Sequence, residues 1–559
     1  MPLRLQGTAL KCVRAIAESA IGGGIVWRQM AGDYGVTAIQ HLPDTARAPL
    51  EAIPRPIHAR PPRTWGEPSD APPPSLRVTG RTIRAAYAAG TTTPSEVLVS
   101  IREHIQAAQY GDTAHSPFTD MNWDHAIQMA AESTKRWEKG CPLGPLDGVP
   151  VPVKDEHDMV GLVTRGGTSY LQDPAQKNSF CVEQLIQAGA LVYAKTHATE
   201  WGMCPLGTND NFPMPRNLYS NHHVPGGSST GSALAVGLGL GPVAVGSDGG
   251  GSIRIPSAMN GLFGIKPSFI RVGRTGDIFA NGSMSHIGPI GQSTEDLVDF
   301  LEVTGANPDP NDPISDWNPR TPRGDALVAQ WRQALGRGIQ GARIGILAEE
   351  WEDADPQVAS VCRTALDALA ADGAELVELS MPLSRHAPGT GVLVIAGETM
   401  GGLIDDYQQH ANQMSQSLRL LLACLQRATA QEYFRACQTR ARLRLEMAKQ
   451  FHNVDLIAIP TINTPTPKWP LEQGSTPLAD GPGTIAACRH NFLGNLTGLP
   501  AGSVPVGTID NLPVGLQFIA DAWDEASVFA AMAHCERMQM TTLPKPNGFF
   551  AWDALGVAP

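Results

Sequence analysis

Apolar residues recur along the chain at two spacings, which predict strands that alternate with helices. Residues 343–347 form a short apolar run that is typical of a buried strand. Asp355 then offers an N-cap for a helix whose apolar positions recur at helical intervals, namely Val358, Val361, Ala365, Leu366 and Leu369. Gly373 ends this helix, and residues 374–379 resume the strand pattern. The order predicts an α/β fold in which helices cover a largely buried sheet.

The same alternation appears earlier in the chain. Ser179 is a suitable N-cap for a helix that ends at Gly189, and residues 190–194 then predict a strand. Short apolar runs at 243–245 and 455–460 predict two more buried strands. Several strand and helix units therefore contribute to the predicted sheet.

Residues 9–21 carry apolar side chains at helical spacing with charged side chains between them, which predicts an amphipathic helix. Charges interrupt the apolar run, so it is not a signal peptide, and it is too short to span a membrane. We expect the apolar stripe to pack against protein, either the rest of this chain or a second copy in a homodimer. Peripheral contact with a membrane surface is the alternative.

Residues 54–75 are rich in proline and poor in large apolar residues, which predicts an extended connector over the surface. We therefore expect two parts: residues 1–75 as a helical extension with its connector, and residues 76–559 as one catalytic domain. A chain of 559 residues is long enough for one large core.

The composition excludes some classes of function. The chain has 42 Lys+Arg against 54 Asp+Glu, and a net charge of −12 argues against a nucleic-acid partner. Nine cysteines without a CxxC pair indicate free thiols in a reducing compartment, so a cytoplasmic location is expected. The histidines lack an HExxH or similar spacing, and we expect no metal and no cofactor.

Residues 385–452 favour helix, and this segment ends in three arginines at alternate positions, Arg440, Arg442 and Arg444. Their spacing predicts a solvated helix face rather than an anion site.

Two segments carry an unusual density of glycine and serine. Residues 226–232 are Gly-Gly-Ser-Ser-Thr-Gly-Ser, and residues 246–256 contain three glycines, Gly249, Gly250 and Gly251, directly before Ser252. Successive glycine amides can point their N–H groups at one anionic oxygen. These glycines therefore predict an oxyanion hole beside a nucleophilic serine, Ser252.

A nucleophilic serine needs a base, and no histidine lies nearby in a suitable context. Residues 149–155 alternate valine with proline and end in Lys154 and Asp155, which predicts a buried or bulged strand that presents the lysine. A lysine in a desolvated pocket can lose its proton near neutral pH and act as a base.

Residues 226–232, 246–256 and 261–267 together resemble the amidase signature family of serine hydrolases. The resemblance runs from about residue 80 to residue 545. It implies a large twisted mixed central sheet covered by helices on both faces, and hydrolysis of a small-molecule amide through an acyl-enzyme. It also implies a Ser-Ser-Lys triad, with Ser252 as nucleophile, Ser228 as bridging serine and Lys154 as base, and a cis peptide bond between Gly227 and Ser228.

The resemblance implies supporting roles as well. Ser229 matches a residue that hydrogen-bonds within the triad, although it could equally cap the helix that follows. Asp248 and Arg254 flank the nucleophile and are expected to form a structural ion pair. Gly202 and Met203 fall where the family binds substrate. Residues 164–171, the triple glycine and the N-terminal extension are most similar to plant-type fatty acid amide hydrolases.

Several alternatives remain at this point. Within the family, the chain could be the glutamine amidotransferase-type subunit of a tRNA-charging complex, or a carbamate or ester hydrolase with the same triad. Residues 227–231 also satisfy GxSxG, which would make Ser229 the nucleophile of an α/β-hydrolase, but residues 221–225 are poor strand material. A nucleotide-binding protein is disfavoured because neither glycine segment closes with Gly-Lys-Ser/Thr.

Overall fold

The computed structural model describes residues 4–46, 64–67, 77–107, 116–279, 282–315, 323–469 and 478–559. The strands in this part of the chain are β1 (Arg4–Gln6), β2 (Phe118–Met121), β3 (Val153–Lys154), β4 (Ala194–Thr196), β5 (Val243–Asp248), β6 (Phe263–Lys266), β7 (His286–Gly291), β8 (Arg343–Leu347), β9 (Glu375–Leu379), β10 (Leu456–Pro460), β11 (Leu478–Asp480), β12 (Ala501–Ile509) and β13 (Leu512–Ala520).

The helices of the described residues follow the same chain order. They are α1 (Gly7–Glu18), α2 (Gly22–Asp33), α3 (Val36–Gln40), α4 (Gly80–Ala88), α5 (Pro94–Ala107), α6 (Trp123–Glu138), α7 (Phe180–Gln187), α8 (Thr230–Gly237), α9 (Arg254–Met259), α10 (Thr294–Thr304), α11 (Asp325–Gly336), α12 (Ala348–Glu352), α13 (Pro356–Ala371), α14 (Ala387–His410), α15 (Gln416–Leu425), α16 (Ala430–Gln450), α17 (Gly481–Cys488), α18 (Phe492–Thr497) and α19 (Glu525–Arg537).

Eleven of these strands form one mixed sheet in the order β2-β4-β3-β5-β7-β6-β12-β13-β10-β8-β9. β3 runs parallel to β4 and β5, and β8 runs parallel to β9 and β10. The strands from β5 through β10 in this order pair antiparallel. The predicted α/β fold with a large mixed sheet covered by helices is confirmed.

The local predictions hold where the pattern is regular and fail beside prolines. The strand predicted at 343–347 is β8, and Asp355 caps α13 by accepting a hydrogen bond from the Gln357 N–H. The strand predicted at 190–194 instead begins at Ala194, and upstream of it only an isolated parallel bridge joins Leu191 to Pro150. Pro150 and Pro152 precede β3 and have no N–H to extend the ladder.

The helix predicted over residues 9–21 ends earlier. α1 stops at Glu18, because the Ser19 hydroxyl donates to the Ile16 carbonyl and accepts from the Gly22 N–H, which turns the chain into α2. Leu10 and Ala17 are buried, and α1 packs against α15. The buried part of the apolar stripe therefore packs against other residues of this chain. For that part, the expectation that the stripe packs against protein is confirmed.

The prediction of a solvated arginine face was wrong for two of the three arginines. Arg440 and Arg444 are buried in α16, whereas Arg442 is partly exposed and pairs with Glu446. Residues four apart share a helix face, and this face is turned toward the protein. Arg440 donates to the carbonyls of Leu496 and Ser283, which satisfies its buried charge with oxygen acceptors.

Among the described helices, only α14 with its flanking turns, residues 382–413, is long and apolar enough to cross a membrane. Half of its apolar window is buried, and α14 packs against α16 and α18, as a core helix does. The predicted connector at 54–75 falls outside the described residues except for 64–67, so the division of the chain at residue 75 stays a prediction. The nine cysteines are unpaired, as predicted.

Candidate active site

The sheet topology brings the predicted lysine and serines together. β3 and β5 are parallel neighbours, with Val153 opposite Val245, so their carboxyl ends lie at the same edge of the sheet. Lys154 ends β3, and β5 ends at Asp248, where the chain enters the glycine turn that carries Ser252. Ser228 lies just before α8, which packs on β5.

Lys154 and Ser228 are in direct contact. The Lys154 side-chain nitrogen Nζ lies 2.7 Å from Ser228 Oγ, and both side chains are almost fully buried. The Gly227–Ser228 peptide bond is cis, as the family resemblance implies.

Ser252 completes the group, at the wall of the same cavity as Ser228. Its hydroxyl makes no hydrogen bond to a described residue, so the contact between Lys154 and Ser228 is formed while the contact between the two serines is open. Catalytic hydrogen bonds of this kind often tighten only when substrate binds.

Ser229 links the two serine segments through the backbone. Its N–H donates to the Ser252 carbonyl at 3.2 Å, and its hydroxyl donates to the Ser247 carbonyl at 3.2 Å. The Ser229 side chain does not cap α8, which removes the capping alternative. It is fully buried, does not line the cavity and follows no strand, so the GxSxG interpretation has no support in the structure.

Asp248 and Arg254 form the expected ion pair and also shape the glycine turn. Arg254 Nη2 lies 2.9 Å from Asp248 Oδ1, and both side chains are fully buried. Burial alone would raise the pKa of Asp248, but the Arg254 guanidinium and further hydrogen bonds hold it below its ordinary value. The Asp248 carboxylate also accepts the N–H groups of Gly251 and Ile253, which folds the turn around Ser252.

One predicted oxyanion donor does not face the cavity. The Gly251 N–H donates to Asp248 Oδ1 at 2.7 Å, and Gly251 is absent from the cavity wall. Gly249 and Gly250 do line the cavity, and their N–H groups make no hydrogen bond to a described residue. The turn therefore offers these two amides, rather than all three, to a ligand.

The cavity beside Ser252 has a volume of about 670 Å³. Gly202 and Met203, the predicted substrate-binding residues, lie in its wall. Gly202 has a φ of 66°, and a methyl group at this position would lie 3.2 Å from Glu156 Oε1 and 3.4 Å from Ser228 Oγ, so glycine suits both the backbone conformation and the narrow space beside Glu156. The far wall is mainly apolar and comes from α2, α14 and α15, including Met30, Tyr34, Ile395, Leu418, Leu421 and Leu425.

Two further residues of the site were not predicted from the sequence. Glu156 Oε2 lies 2.9 Å from Lys154 Nζ and accepts a hydrogen bond from the Ser247 hydroxyl. Ser247 Oγ is in turn 2.8 Å from Lys154 Nζ. Glu156 stands two positions after Lys154, and that proximity was the available signal.

Buried titratable groups surround this lysine. Burial, and secondarily the charge of Glu156, raises the pKa of Asp277 to about 7. Burial followed by the charges of Lys154 and Lys195 lowers the pKa of His157 well below its ordinary value, so this imidazole is neutral. Lys195 Nζ forms a separate ion pair with Asp155 Oδ1 at 3.0 Å.

Comparison with known proteins identifies the family of this chain. The family model for amidases matches residues 100–529. Fatty acid amide hydrolase of Medicago truncatula is 32% identical over 481 residues, which are 84% of this chain and 77% of that protein. A glutamyl-tRNA(Gln) amidotransferase subunit from Chloroflexus aurantiacus is 33% identical over 471 residues, 80% of this chain and 93% of that one. The native peptide amidase from Stenotrophomonas maltophilia superposes with a TM-score of 0.69 at 25% identity, covering 85% of this chain and 99% of that structure.

Proposed function

The chain belongs to the amidase signature family and is an amidase, and from that premise we propose that Ser252, Ser228 and Lys154 carry its reaction. The observation that supports this assignment most strongly is the 2.7 Å contact between Lys154 Nζ and Ser228 Oγ at the wall that also holds Ser252. A nucleophile, a bridging hydroxyl and a base thus lie in one buried group.

The proposed reaction has two stages. Lys154, as the neutral amine, takes the proton of Ser228 while Ser228 takes that of Ser252, and Ser252 Oγ attacks the amide carbonyl. The tetrahedral intermediate collapses as the proton returns through Ser228 to the leaving nitrogen, which breaks the C–N bond and leaves an acyl-enzyme. Water then hydrolyses the ester.

The negative oxygen of the intermediate would meet the N–H groups of Gly249 and Gly250. Gly249 and Gly250 line the cavity, and their N–H groups make no hydrogen bond to a described residue. The loss of one such donor costs about 2.7–4 kcal/mol of transition-state stabilisation in comparable enzymes.

The substrate class that the cavity favours is an amide with a long apolar acyl group. A volume of about 670 Å³ with leucine and methionine walls fits an acyl tail, whereas glutamine would fill little of it. The similarity to plant fatty acid amide hydrolase supports the same class. The similarity to an amidotransferase component makes glutaminase activity within a complex the second candidate.

For location, we propose a cytoplasmic enzyme that touches a membrane surface through its N-terminal helices. Ile16, Ile21 and Ile25 are exposed by 50%, 84% and 58% on α1, α2 and the turn between them. α2 also contributes Met30 to the cavity wall, so this surface lies beside the proposed acyl site. Replacement of the three isoleucines by serine should abolish co-sedimentation with liposomes. The proposal would be contradicted if the wild-type protein did not co-sediment with liposomes and instead formed a homodimer that the three substitutions disrupt.

The function is tested by hydrolysis of acyl amides that differ only in tail length. We expect the wild-type enzyme to prefer long tails and Ser252→Ala to lose measurable turnover on all of them. A parallel glutaminase assay, with and without partner subunits, covers the second candidate. Turnover of glutamine alone, with no activity on any acyl amide, would overturn the proposed substrate class.

A further inference from the structure

A carboxylate beside the base is an unexpected feature of a site in which the base must give up its proton. Glu156 Oε2 is 2.9 Å from Lys154 Nζ, and both side chains are only 1% exposed. An opposite charge at this distance favours the charged form of the lysine. On its own, this contact therefore works against a neutral amine in the resting enzyme.

The contact between Glu156 and Lys154 becomes favourable for catalysis once the reaction starts. When Lys154 takes the proton, a new ammonium appears in a buried site where an unpaired charge would be costly. Glu156 is already in place to pair with it. In serine hydrolases with a histidine base, a buried carboxylate orients the base and stabilises the cation in this way.

We propose that Glu156 is a positioning residue for the base: it orients Lys154 and stabilises the ammonium that forms as Ser252 attacks. The inference rests on the proposed roles of Lys154, Ser228 and Ser252. In this scheme the proton passes only from Ser252 through Ser228 to Lys154 and back by the same route to the leaving nitrogen, and Glu156 takes no proton.

The hydrogen bonds around Glu156 fix its orientation. Ser247 donates to Oε2, and Ser247 Oγ also lies 2.8 Å from Lys154 Nζ, so the three side chains form a closed set of contacts. The Glu156 backbone is held as well: its N–H donates to the Lys154 carbonyl at 2.7 Å and its carbonyl accepts from the Ile278 N–H at 3.1 Å. A carboxylate held in this way loses little entropy when it pairs with the ammonium.

The other charged groups near this pair do not replace Glu156. His157 is neutral, and Lys195 is paired with Asp155. Asp277, which also faces Arg274, accepts the Phe279 N–H at 2.6 Å. Glu200, on the turn that contains Gly202, accepts the Ser415 N–H at 3.0 Å. Glu156 is thus the carboxylate that contacts Lys154 Nζ among the described residues.

The test is the pH profile of kcat/KM for Glu156→Gln on one acyl amide. Without the anion, the ammonium is less stable, so the neutral amine should become available at lower pH. We expect the acid limb to move down by about one pH unit or more, and the plateau to fall about 10- to 100-fold because the forming ammonium has lost its partner. A residue with a merely structural role would not move the acid limb.

Two further variants keep the test decisive. Glu156→Asp retains the charge but withdraws it by one methylene, so it should give a smaller shift in the same direction, and it decides the matter if Glu156→Gln fails to fold. Glu350→Gln is the matched control, because Glu350 is equally buried and paired with Arg489 at 2.8 Å but lies outside the cavity wall. This control is expected to lower stability without moving the acid limb.

An acid limb that does not move in folded Glu156→Gln, or in Glu156→Asp where Glu156→Gln does not fold, would overturn the inference whatever happens to the plateau, as would a shift to higher pH. Failure of the proposed function looks different. In that case the wild-type enzyme itself would hydrolyse no acyl amide and Ser252 would not react with a fluorophosphonate.

Discussion

The two ends of the cavity are built in different ways. At the catalytic end, Lys154, Ser228 and Ser247 are fixed by hydrogen bonds to one another and by the parallel strands β3 and β5. At the far end, α2, α14 and α15 contribute mainly apolar side chains to the cavity wall, with Glu398 and Ser417 among the exceptions. The difference indicates that the chemistry depends on a few exact contacts, whereas the choice of acyl group depends on the shape of a wall that several helices share.

The strongest challenge to the catalytic end is Lys154→Ala. Loss of the proton relay is expected to lower kcat on acyl amides by about 10²–10⁴-fold, because no other described group contacts Ser228 Oγ as a base. The loss should be the same for short and long tails, since the far wall is untouched. A loss confined to long tails would show that the two ends are not separate; circular dichroism checks that the variant is folded.

Arg254→Ala tests whether the glycine turn depends on its ion pair. The change leaves Asp248 buried without its cation, which typically costs about 3–5 kcal/mol of unfolding free energy. Because the folded pKa of Asp248 lies below its unfolded value, the pair contributes stability above about pH 4 that is lost as pH falls through the folded value. The stability gap between the two proteins in urea titrations should therefore narrow in strong acid; an equal gap at every pH would contradict this interpretation.

The catalytic end was far easier to predict from the sequence than the far end. Lys154, Ser228 and Ser252 stand in dense local motifs. The short strand that ends in Lys154 and the strand that precedes the glycine turn are both visible in the apolar pattern. No local sequence pattern identifies the residues of the far wall. Met30 and Leu421 line the same cavity only because α2 packs against α15.

Glu156 and the buried arginines were also missed by the sequence patterns, although each lies in or beside a segment that the patterns did identify. Glu156 is one acid among 54 Asp+Glu in the sequence, and only the turn after β3 places it on Lys154. Arg440 and Arg444 share a helix face whose direction no local pattern specifies. Contacts that depend on tertiary packing are thus the ones that local patterns leave undetermined.

Leu421→Trp tests the far end by filling part of its volume. We expect KM for long-tailed amides to rise about 10-fold while short-tailed amides change little, since one or a few lost methylene contacts are worth about 1–3 kcal/mol. Leu445→Trp is the control, because Leu445 is exposed on α16 and lies outside the cavity wall. Equal losses on both tail lengths would mean that the wall does not select the acyl group.

Asp277→Asn removes a buried titratable group beside Lys154, and its effect is expected on stability rather than on the chemistry. A buried acid with a pKa of about 7 holds a proton that the unfolded chain releases near pH 4, so it lowers the stability of the fold as pH rises from about 4 to 7. The variant should lack this pH-dependent loss of stability, which amounts to about 1.4 kcal/mol for each pH unit over this range. Thermal unfolding at several pH values measures it; identical pH slopes for the two proteins would contradict the assignment.

The most direct test of the central claim is to identify the residue that reacts with a fluorophosphonate. The enzyme is labelled, digested and analysed by mass spectrometry, alongside Ser252→Ala and Ser229→Ala. We expect an adduct on Ser252, its loss in Ser252→Ala and its retention in Ser229→Ala. Labelling that persists in Ser252→Ala and disappears when a histidine is replaced would contradict the Ser-Ser-Lys mechanism.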